Sequence, residues 1–233
     1  MRIQKSLATL LIASLFSISQ LSGCVIHLDA PDGFFLGNRL KGSGDAASEV
    51  RIPGDSYRGV ELKVPATVHV KIGPASSVEL VGDDNLLQWI ATDVEKGILH
   101  IESRRKHLSF SHGLEVFIET PQLESFQLAG AGEVVIDGLS ESRFHAAVFG
   151  AGTLEANGVV EALEATITGS GELELQRLRT QNASAIITGS GEIDMHVEGE
   201  LNYRISGSGD ITYNGQALVS GSVSGSGRVS RHR

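Results

Sequence analysis

Acidic side chains recur at a fixed place in the second half of this sequence, and evenly spaced carboxylates can hold a cation. Six positions, each directly after a Gly-x-Gly triplet, carry Glu133, Thr153, Glu172, Glu192, Asp210 and Arg228. If these segments stack, Glu172, Glu192 and Asp210 form a row with about 5 Å between neighbours. Like charges that close raise one another's pKa or attract a cation, and oxygen ligands suit Ca²⁺. The alternative is a solvated row that discourages aggregation, since the GGxGxD pattern of calcium-binding repeats is absent. We expect no cofactor and keep the three carboxylates as the only candidate metal ligands.

A second chemical candidate is the positive cluster Arg104-Arg105-Lys106, which lies between two predicted strands and interrupts the regular pattern. It is the clearest positive patch in a chain whose formal net charge is -9. Cationic side chains of this kind contact phosphate head groups or an acidic partner. The three residues are therefore candidate partner contacts, with a solvated loop as the alternative. The acidic balance of the whole chain argues against nucleic acid as a partner.

The N-terminus has the pattern of an exported lipoprotein. A basic start is followed by an apolar run over residues 7–18 and then by Leu21-Ser22-Gly23-Cys24. This arrangement is typical of a cleaved signal peptide, here residues 1–23, and its last four letters resemble a bacterial lipobox. Cys24, the only cysteine, is the predicted lipidation site that would hold the protein on a membrane. Val25 after it favours the outer membrane, by resemblance to Gram-negative lipoproteins. A plain signal peptide with a stray cysteine is the alternative.

The Gly-x-Gly triplets indicate the architecture that positions these groups. They recur about every twenty residues, a period typical of solenoids. Their glycines are Gly130 and Gly132, Gly150 and Gly152, Gly169 and Gly171, Gly189 and Gly191, Gly207 and Gly209, and Gly225 and Gly227. We expect them at corners, because glycine accepts a positive φ and adds no side chain there.

Aliphatic residues flank every triplet with a period of two, which means strand. Two residues before the first glycine stand Leu128, Val148, Ile167, Ile187, Ile205 and Val223. Two residues after the second stand Val134, Leu154, Leu173, Ile193, Ile211 and Val229. We therefore predict an all-β fold, a right-handed parallel β-helix with coils of about 20 residues, Gly-x-Gly corners and aliphatic ladders inside.

The rest of the chain divides into three further regions. Residues 24–41 read as a tether, residues 42–120 as a β-rich N-terminal half, and residues 121–233 as the regular solenoid. The N-terminal half contains alternating runs typical of strands with one buried face. It also contains one more corner-like triplet, Gly42-Ser43-Gly44, and a possible helical turn over residues 84–90.

Three features together resemble the GIN-domain family, also described as an auto-transporter adhesin head domain. They are the early corner triplet, the "DDNLL" stretch at residues 83–87, and the repeated "GSG[DE]" near period twenty. The resemblance covers roughly residues 42–230. It implies a β-helical fold and an exported, often lipid-anchored protein without agreed catalytic residues. The chain departs from the family pattern at Ala131 and Ala151, which replace serine, and at Arg228, which replaces an acid.

Taken together, these observations predict a non-catalytic lipoprotein of the cell envelope that acts as a binding, adhesion-type or scaffold module. Its expected partners are the membrane, through Cys24, and an envelope protein or glycan. One alternative is a structural envelope factor with a dedicated protein partner; the other is a carbohydrate-active β-helix enzyme. Glycoside hydrolysis needs two carboxylates in distinct environments, whereas the acids here recur with the repeat, so no catalytic residue is assigned. A nucleotide-binding loop is disfavoured because strands, not helices, follow the glycines.

Overall fold

The computed structural model describes residues 39–232, so the predicted signal peptide, Cys24 and most of the tether lie outside the described residues. Within this range no helix has the length and apolar character needed to cross a membrane. The elements are β1 Leu40–Lys41, β2 Ala46–Arg51, β3 Gly59–Leu62, β4 Thr67–Ile72, β5 Ser77–Asp83, α1 Asp84–Leu87, β6 Ile90–Glu95, β7 Ile98–Ser103, β8 Leu108–Ser109, β9 Glu115–Thr120, β10 Ser125–Gly130, β11 Glu133–Gly150, β12 Thr153–Gly169, β13 Glu172–Gly189, β14 Glu192–Gly207, β15 Asp210–Asn214, β16 Leu218–Gly225 and β17 Arg228–Arg231.

Four long strands, β11 to β14, form the regular part of the stack. Each runs for 16 to 18 residues from one Gly-x-Gly corner to the next. Each pairs in parallel with its equivalent in the next coil, so that Ile167 lies opposite Ile187 and Ile187 opposite Ile205. The predicted parallel β-solenoid with Gly-x-Gly corners is confirmed.

Both glycines of a corner are required, for different reasons. Gly189 has a φ of +124°, a region that side-chain-bearing residues rarely adopt. A Cβ on Gly191 would lie 2.6 Å from the carbonyl oxygen of Gly171 in the coil before it. The residue between them, Ser190, donates its backbone N–H to the Gly169 carbonyl at 2.8 Å. The corners therefore stack backbone on backbone, with no room for side chains between coils.

The aliphatic ladders form the core, as the period of two predicts. Leu128, Val148 and Ile167 are fully buried, and so are Ile187 and Ile205 above them. Burying one such side chain contributes about 1.5–3 kcal/mol. No single coil could enclose its own ladder, so the fold depends on stacking.

The N-terminal half adds two coils in an order that differs from the chain order. Strands β3 and β4 pair in parallel with β10 and β11 on one side. On their other side they pair with β7 and β9, which come later in the sequence. Antiparallel strands then close this end, where β6 pairs with β7, β5 with β9 and β2 with β5. The first coil in sequence is thus the second in space.

The early triplet Gly42-Ser43-Gly44 is not a solenoid corner, which corrects the expectation from its spelling. It follows β1, which pairs with β8 outside the main sheet. Gly44 donates its N–H to the Asp83 carboxylate at 2.7 Å. A side chain on Gly42 would collide with that same carboxylate. The triplet is glycine-rich because it wraps around Asp83.

The C-terminal end of the described stack is open. Strands β16 and β17 extend the ladder by pairing with β14 and β15. No described coil lies beyond them, so Val223, which continues the inward ladder, is 40% exposed.

Candidate functional site

The first candidate surface is a flat, hydroxyl-rich face, which we call the hydroxyl face. It is formed by the stretch of each coil that leads into its Gly-x-Gly corner. An in-register outward column runs through Thr168, Thr188, Ser206 and Ser224, all of them exposed. Successive members are one strand spacing apart, about 4.8 Å. The face offers regularly spaced hydrogen-bonding groups. On the coil before Thr168, the same column holds the exposed aromatic ring of Phe149.

The second candidate surface is the acidic face on the other side of the corners. The predicted row is present, since Glu172 pairs with Glu192 and Glu192 with Asp210 in register. A second column places Glu174 beside Asp194. Partial burial raises the pKa of Glu172, and the charges of Glu174, Glu192 and Asp194 raise it further. These carboxylates repel one another in the folded state.

Other side chains partly compensate the acidic face. Arg228 pairs with Asp210 at 3.3 Å, Arg177 pairs with Glu155, and the amide of Gln176 donates to Asp194 at 2.9 Å. Within residues 39–232 no three His, Cys, Asp or Glu side chains converge as metal ligands would. The row is therefore arranged as a ladder along the surface and not as a cage around an ion.

The third candidate is the place where the corner column is interrupted. Between β7 and β9 the chain makes a long excursion over residues 104–114, which we call the basic loop. The coils that follow β10 in the chain turn the same corner with a short Gly-x-Gly triplet. The coil stacked directly on β7 and β9 turns it with Lys63 to Ala66, between β3 and β4. The basic loop lifts away from the stack and leaves a space beside that corner.

Several contacts among the described residues hold the basic loop in place, and three of them join it to β1 and β5. Strand β8 in the loop pairs with β1. Ser111 donates its backbone N–H to the buried Asp83 carboxylate at 2.8 Å. Phe110 packs on the backbone of Gly82, where a Cβ would lie 3.0 Å from its ring. The hydrogen bond from Ser111, followed by that from Gly44, lowers the pKa of Asp83 despite its burial.

The side chains of the three predicted contact residues of the basic loop have different surroundings. Arg104 pairs with Asp93 at 3.2 Å on the exposed surface. The guanidinium of Arg105 lies over the Trp89 ring, 5.2 Å from its centroid, and lines the space behind the loop. Lys106 is exposed. Arg104 and Lys106 thus face outward, and Arg105 faces a cavity.

That cavity has a volume of about 400 Å³. Its apolar lining comes from Val64, Pro65, Leu108, Phe110 and Leu114. Sequence reasoning missed it, because Lys63 to Pro65 and the basic loop are far apart in the chain and meet only through the β3–β7 pairing. The available signal was the set of three apolar residues, Leu108, Phe110 and Leu114, in a loop otherwise made of polar residues and one glycine.

Comparison with known proteins gives the family. A family model described as "Putative auto-transporter adhesin, head GIN domain" matches residues 56–217. The chain belongs to this family. The match spans the two N-terminal coils, the basic loop and the regular solenoid up to β15. Adhesin-type proteins act at the cell surface, so the family suggests an exported or surface protein and a binding-type role.

Solved structures show the same fold at low identity. A "putative adhesin" from Bacteroides fragilis is 18% identical with a TM-score of 0.69, covering 83% of this chain and 100% of its own. A "Putative lipid binding protein" from Parabacteroides distasonis is 20% identical with a TM-score of 0.50, covering 84% and 100%. A "putative adhesin" from the same species is 17% identical with a TM-score of 0.55, again covering 84% and 100%. None of these three descriptions names an enzyme. No curated protein is significantly similar to the chain.

Proposed function

We propose that this chain is a non-catalytic lipoprotein of the cell envelope that binds an extended partner along its outer faces. In this proposal residues 1–23 direct export, and lipid on Cys24 holds the protein on a membrane, the outer membrane of a Gram-negative cell. The lipobox-like Leu21 to Cys24 supports the anchor. The adhesin-type family supports the binding role.

The observation that carries the binding role is the hydroxyl face. Its exposed Thr and Ser side chains repeat at the strand spacing, so an extended partner can make the same contact on each coil. Glycans and peptide strands have this extended form and offer hydrogen-bonding groups along their length. The aromatic residues are few, at 5% of the chain, which favours a hydrogen-bonded contact over stacking on sugar rings.

A structural envelope factor with one dedicated protein partner is the second candidate, and the basic loop favours it. Lys106 is exposed, and among residues 39–232 the side chain of Arg104 pairs with one exposed carboxylate, that of Asp93. An acidic protein surface could pair with both and displace Asp93 at little cost, because exposed ion pairs contribute at most about 1 kcal/mol. The carbohydrate-active enzyme is less supported, because the acids of the acidic face recur with the repeat as a surface ladder and do not form one isolated pair.

Photo-crosslinking in living cells tests these proposals. A photoreactive residue is placed at Thr188 on the hydroxyl face, at Lys106 on the basic loop, and at Glu192 on the acidic face as the matched control. We expect adducts from Thr188 that are absent from Glu192. A single protein adduct from Lys106 with none from Thr188 would favour the dedicated partner. Equal labelling at all three positions would contradict a specific binding face.

The anchor is tested separately by cell fractionation. Cys24→Ala should move the protein from the membrane pellet to the soluble fraction, and Ser22→Ala should leave it in the pellet. A Cys24→Ala protein that stays with the membranes would refute lipidation as the means of attachment, without bearing on the hydroxyl face.

A further inference from the structure

The cavity behind the basic loop has the shape and lining of a small-molecule site. Its volume of about 400 Å³ falls within the usual range for such sites, roughly 300–1,000 Å³. The walls are mainly apolar, from Val64 and Pro65 on one side and Leu108, Phe110 and Leu114 on the other. Among the described residues, Leu108 and Phe110 are half-buried and lie against the core. An aliphatic chain is the ligand portion that such walls accommodate.

One cation faces this apolar space without a carboxylate partner. Arg105 lines the cavity, and its guanidinium lies over the Trp89 ring, 5.2 Å from the ring centroid. The structure shows no ion pair between Arg105 and any other residue in the range 39–232. Lys63, the other strong cation of the lining, is already paired with Glu61 at 2.8 Å. The cavity therefore combines an apolar wall with one pre-positioned guanidinium, which favours an anionic group.

Backbone geometry at the rim points to a built feature. His107 adopts a φ of +63°, one of two described non-glycine residues with a positive φ. Residues held in such conformations cluster at ligand sites, because the surrounding structure must enforce them. Here the enforcement is visible, since the His107 carbonyl accepts the N–H of Leu40 at 3.1 Å. The loop is held open by the first described strand and by the buried Asp83.

We propose that this cavity binds an amphiphilic anion, a phosphate or carboxylate group carried on an aliphatic chain. The head group contacts Arg105, and the chain lies against Leu108, Phe110 and Leu114. The ligand can come from two sources, a monomeric amphiphile or a lipid of the membrane. The proposal does not depend on the hydroxyl face or on the anchor, and it stands if either of those fails.

The test is calorimetric titration of the full Cys24→Ala chain, prepared without detergent, with octyl phosphate. Octyl glucoside, which has the same chain and a neutral head, and inorganic phosphate, which lacks the chain, are the matched probes. We expect octyl phosphate to bind about tenfold or more tightly than either, because a charged hydrogen bond and apolar burial are both required. Equal affinity for octyl phosphate and octyl glucoside would overturn the proposal.

Two variants assign the binding to this cavity. Arg105→Gln should weaken octyl phosphate binding about tenfold, and Leu108→Glu should abolish it by placing a carboxylate in the apolar wall. Arg204→Gln, an exposed arginine on a regular coil, is the control and should bind like the parent. Circular dichroism confirms that each variant is folded. Unchanged affinity in a folded Arg105→Gln protein would refute the site.

Flotation with phosphatidylglycerol vesicles identifies the source of the ligand. Flotation that is lost in Arg105→Gln and retained in Arg204→Gln would identify a membrane lipid. Octyl phosphate binding without flotation would identify a monomeric amphiphile. Flotation that persists in Arg105→Gln, together with no binding of octyl phosphate, would refute the cavity as the contact.

Discussion

Two adjacent isoleucines on strand β13 offer the sharpest test of how this sequence builds its core. Ile187 is fully buried in the inward ladder, and Ile186 is 41% exposed on the hydroxyl face. They share the strand, the residue type and nearly the same position in the coil. Replacing each by alanine removes the same atoms and the same strand propensity. Any difference between the two variants therefore reports burial alone.

The expected cost of Ile187→Ala follows from its packing. A Cβ on Gly209 would lie 2.5 Å from Cγ2 of Ile187, so this side chain lies directly beneath the backbone of the next coil. Its ladder neighbours Ile167 and Ile205 are fixed by strand register and cannot move in to fill the space. Buried large-to-alanine changes cost about 2–5 kcal/mol, more where the site cannot collapse. We expect about 3–5 kcal/mol, or roughly 6–20 °C in melting temperature for a domain of this size.

Ile186→Ala should change the free energy of unfolding by less than about 1 kcal/mol, because most surface substitutions have small effects. Both variants are measured by urea unfolding and by thermal melting, followed by far-UV circular dichroism. The parent's urea m-value serves as the check that the same structure unfolds. Equal destabilisation by the two substitutions, or a larger effect at Ile186, would refute the assignment of the inward ladder.

Three further substitutions test the corners, the acidic face and the loop anchor. Gly189→Ala should cost about 2 kcal/mol or more in urea unfolding, since its φ and its approach to the coil below exclude a Cβ, while Ser190→Ala should stay within about 0.5 kcal/mol. The raised pKa of Glu172 means that wild-type stability falls as pH rises through that pKa. Glu172→Gln should therefore raise the melting temperature at pH 7 and lose this gain in acid. An equal gain at both pH values would count against charge repulsion as the cause. The lowered pKa of Asp83 has the opposite sign, because its contribution is complete at neutral pH and is lost as pH falls through that pKa. Asp83→Asn should therefore speed hydrogen exchange of the basic loop at pH 7, with a smaller difference from wild type in acid; unaltered exchange would exclude Asp83 as the anchor.

The regular half of the fold was predictable from the sequence because its determinants are local. Alternation fixes which side chains point inward, and each Gly-x-Gly marks a point where the backbone of one coil rests on the next. The row of Glu172, Glu192 and Asp210 followed from the same spacing. One repeat unit carries all the information needed, and the structure repeats it.

The N-terminal half was predictable only as a set of strands. Its stacking order depends on β3 pairing with both β10 and β7, and these contacts are not encoded in any one segment. Alternating runs satisfy several such orders equally well, since each buries one face. The same spelling, Gly-Ser-Gly, had two outcomes, because at residues 42–44 the neighbouring group is the Asp83 carboxylate and not another corner.

The candidate site was only partly predictable, because it too depends on contacts between segments that are distant in the chain. Arg104, Arg105 and Lys106 were identified as a positive cluster, but their directions depend on what lies behind the loop. Strand alternation does not apply within a loop, so the sequence could not separate the residue at the cavity from those at the surface. The partners of these side chains determine their directions, since Arg105 lies over Trp89 and Arg104 pairs with Asp93. Asp93 belongs to the antiparallel strand β6, and Trp89 directly precedes that strand.

The difference between the regular coils and the basic loop bears on where a specific binding site can form in this fold. Repeated corners give similar environments, so a regular face can bind a repeating partner. The cavity behind the basic loop forms where a segment longer than a Gly-x-Gly corner, residues 104–114, leaves the stack. Such a segment exposes backbone and apolar surface that stacking would otherwise cover, and it needs its own anchors. The anchors of the basic loop are Asp83, Phe110 and the β1–β8 pair. A loop held in this way over an apolar cavity is the physical reason to look for a ligand there.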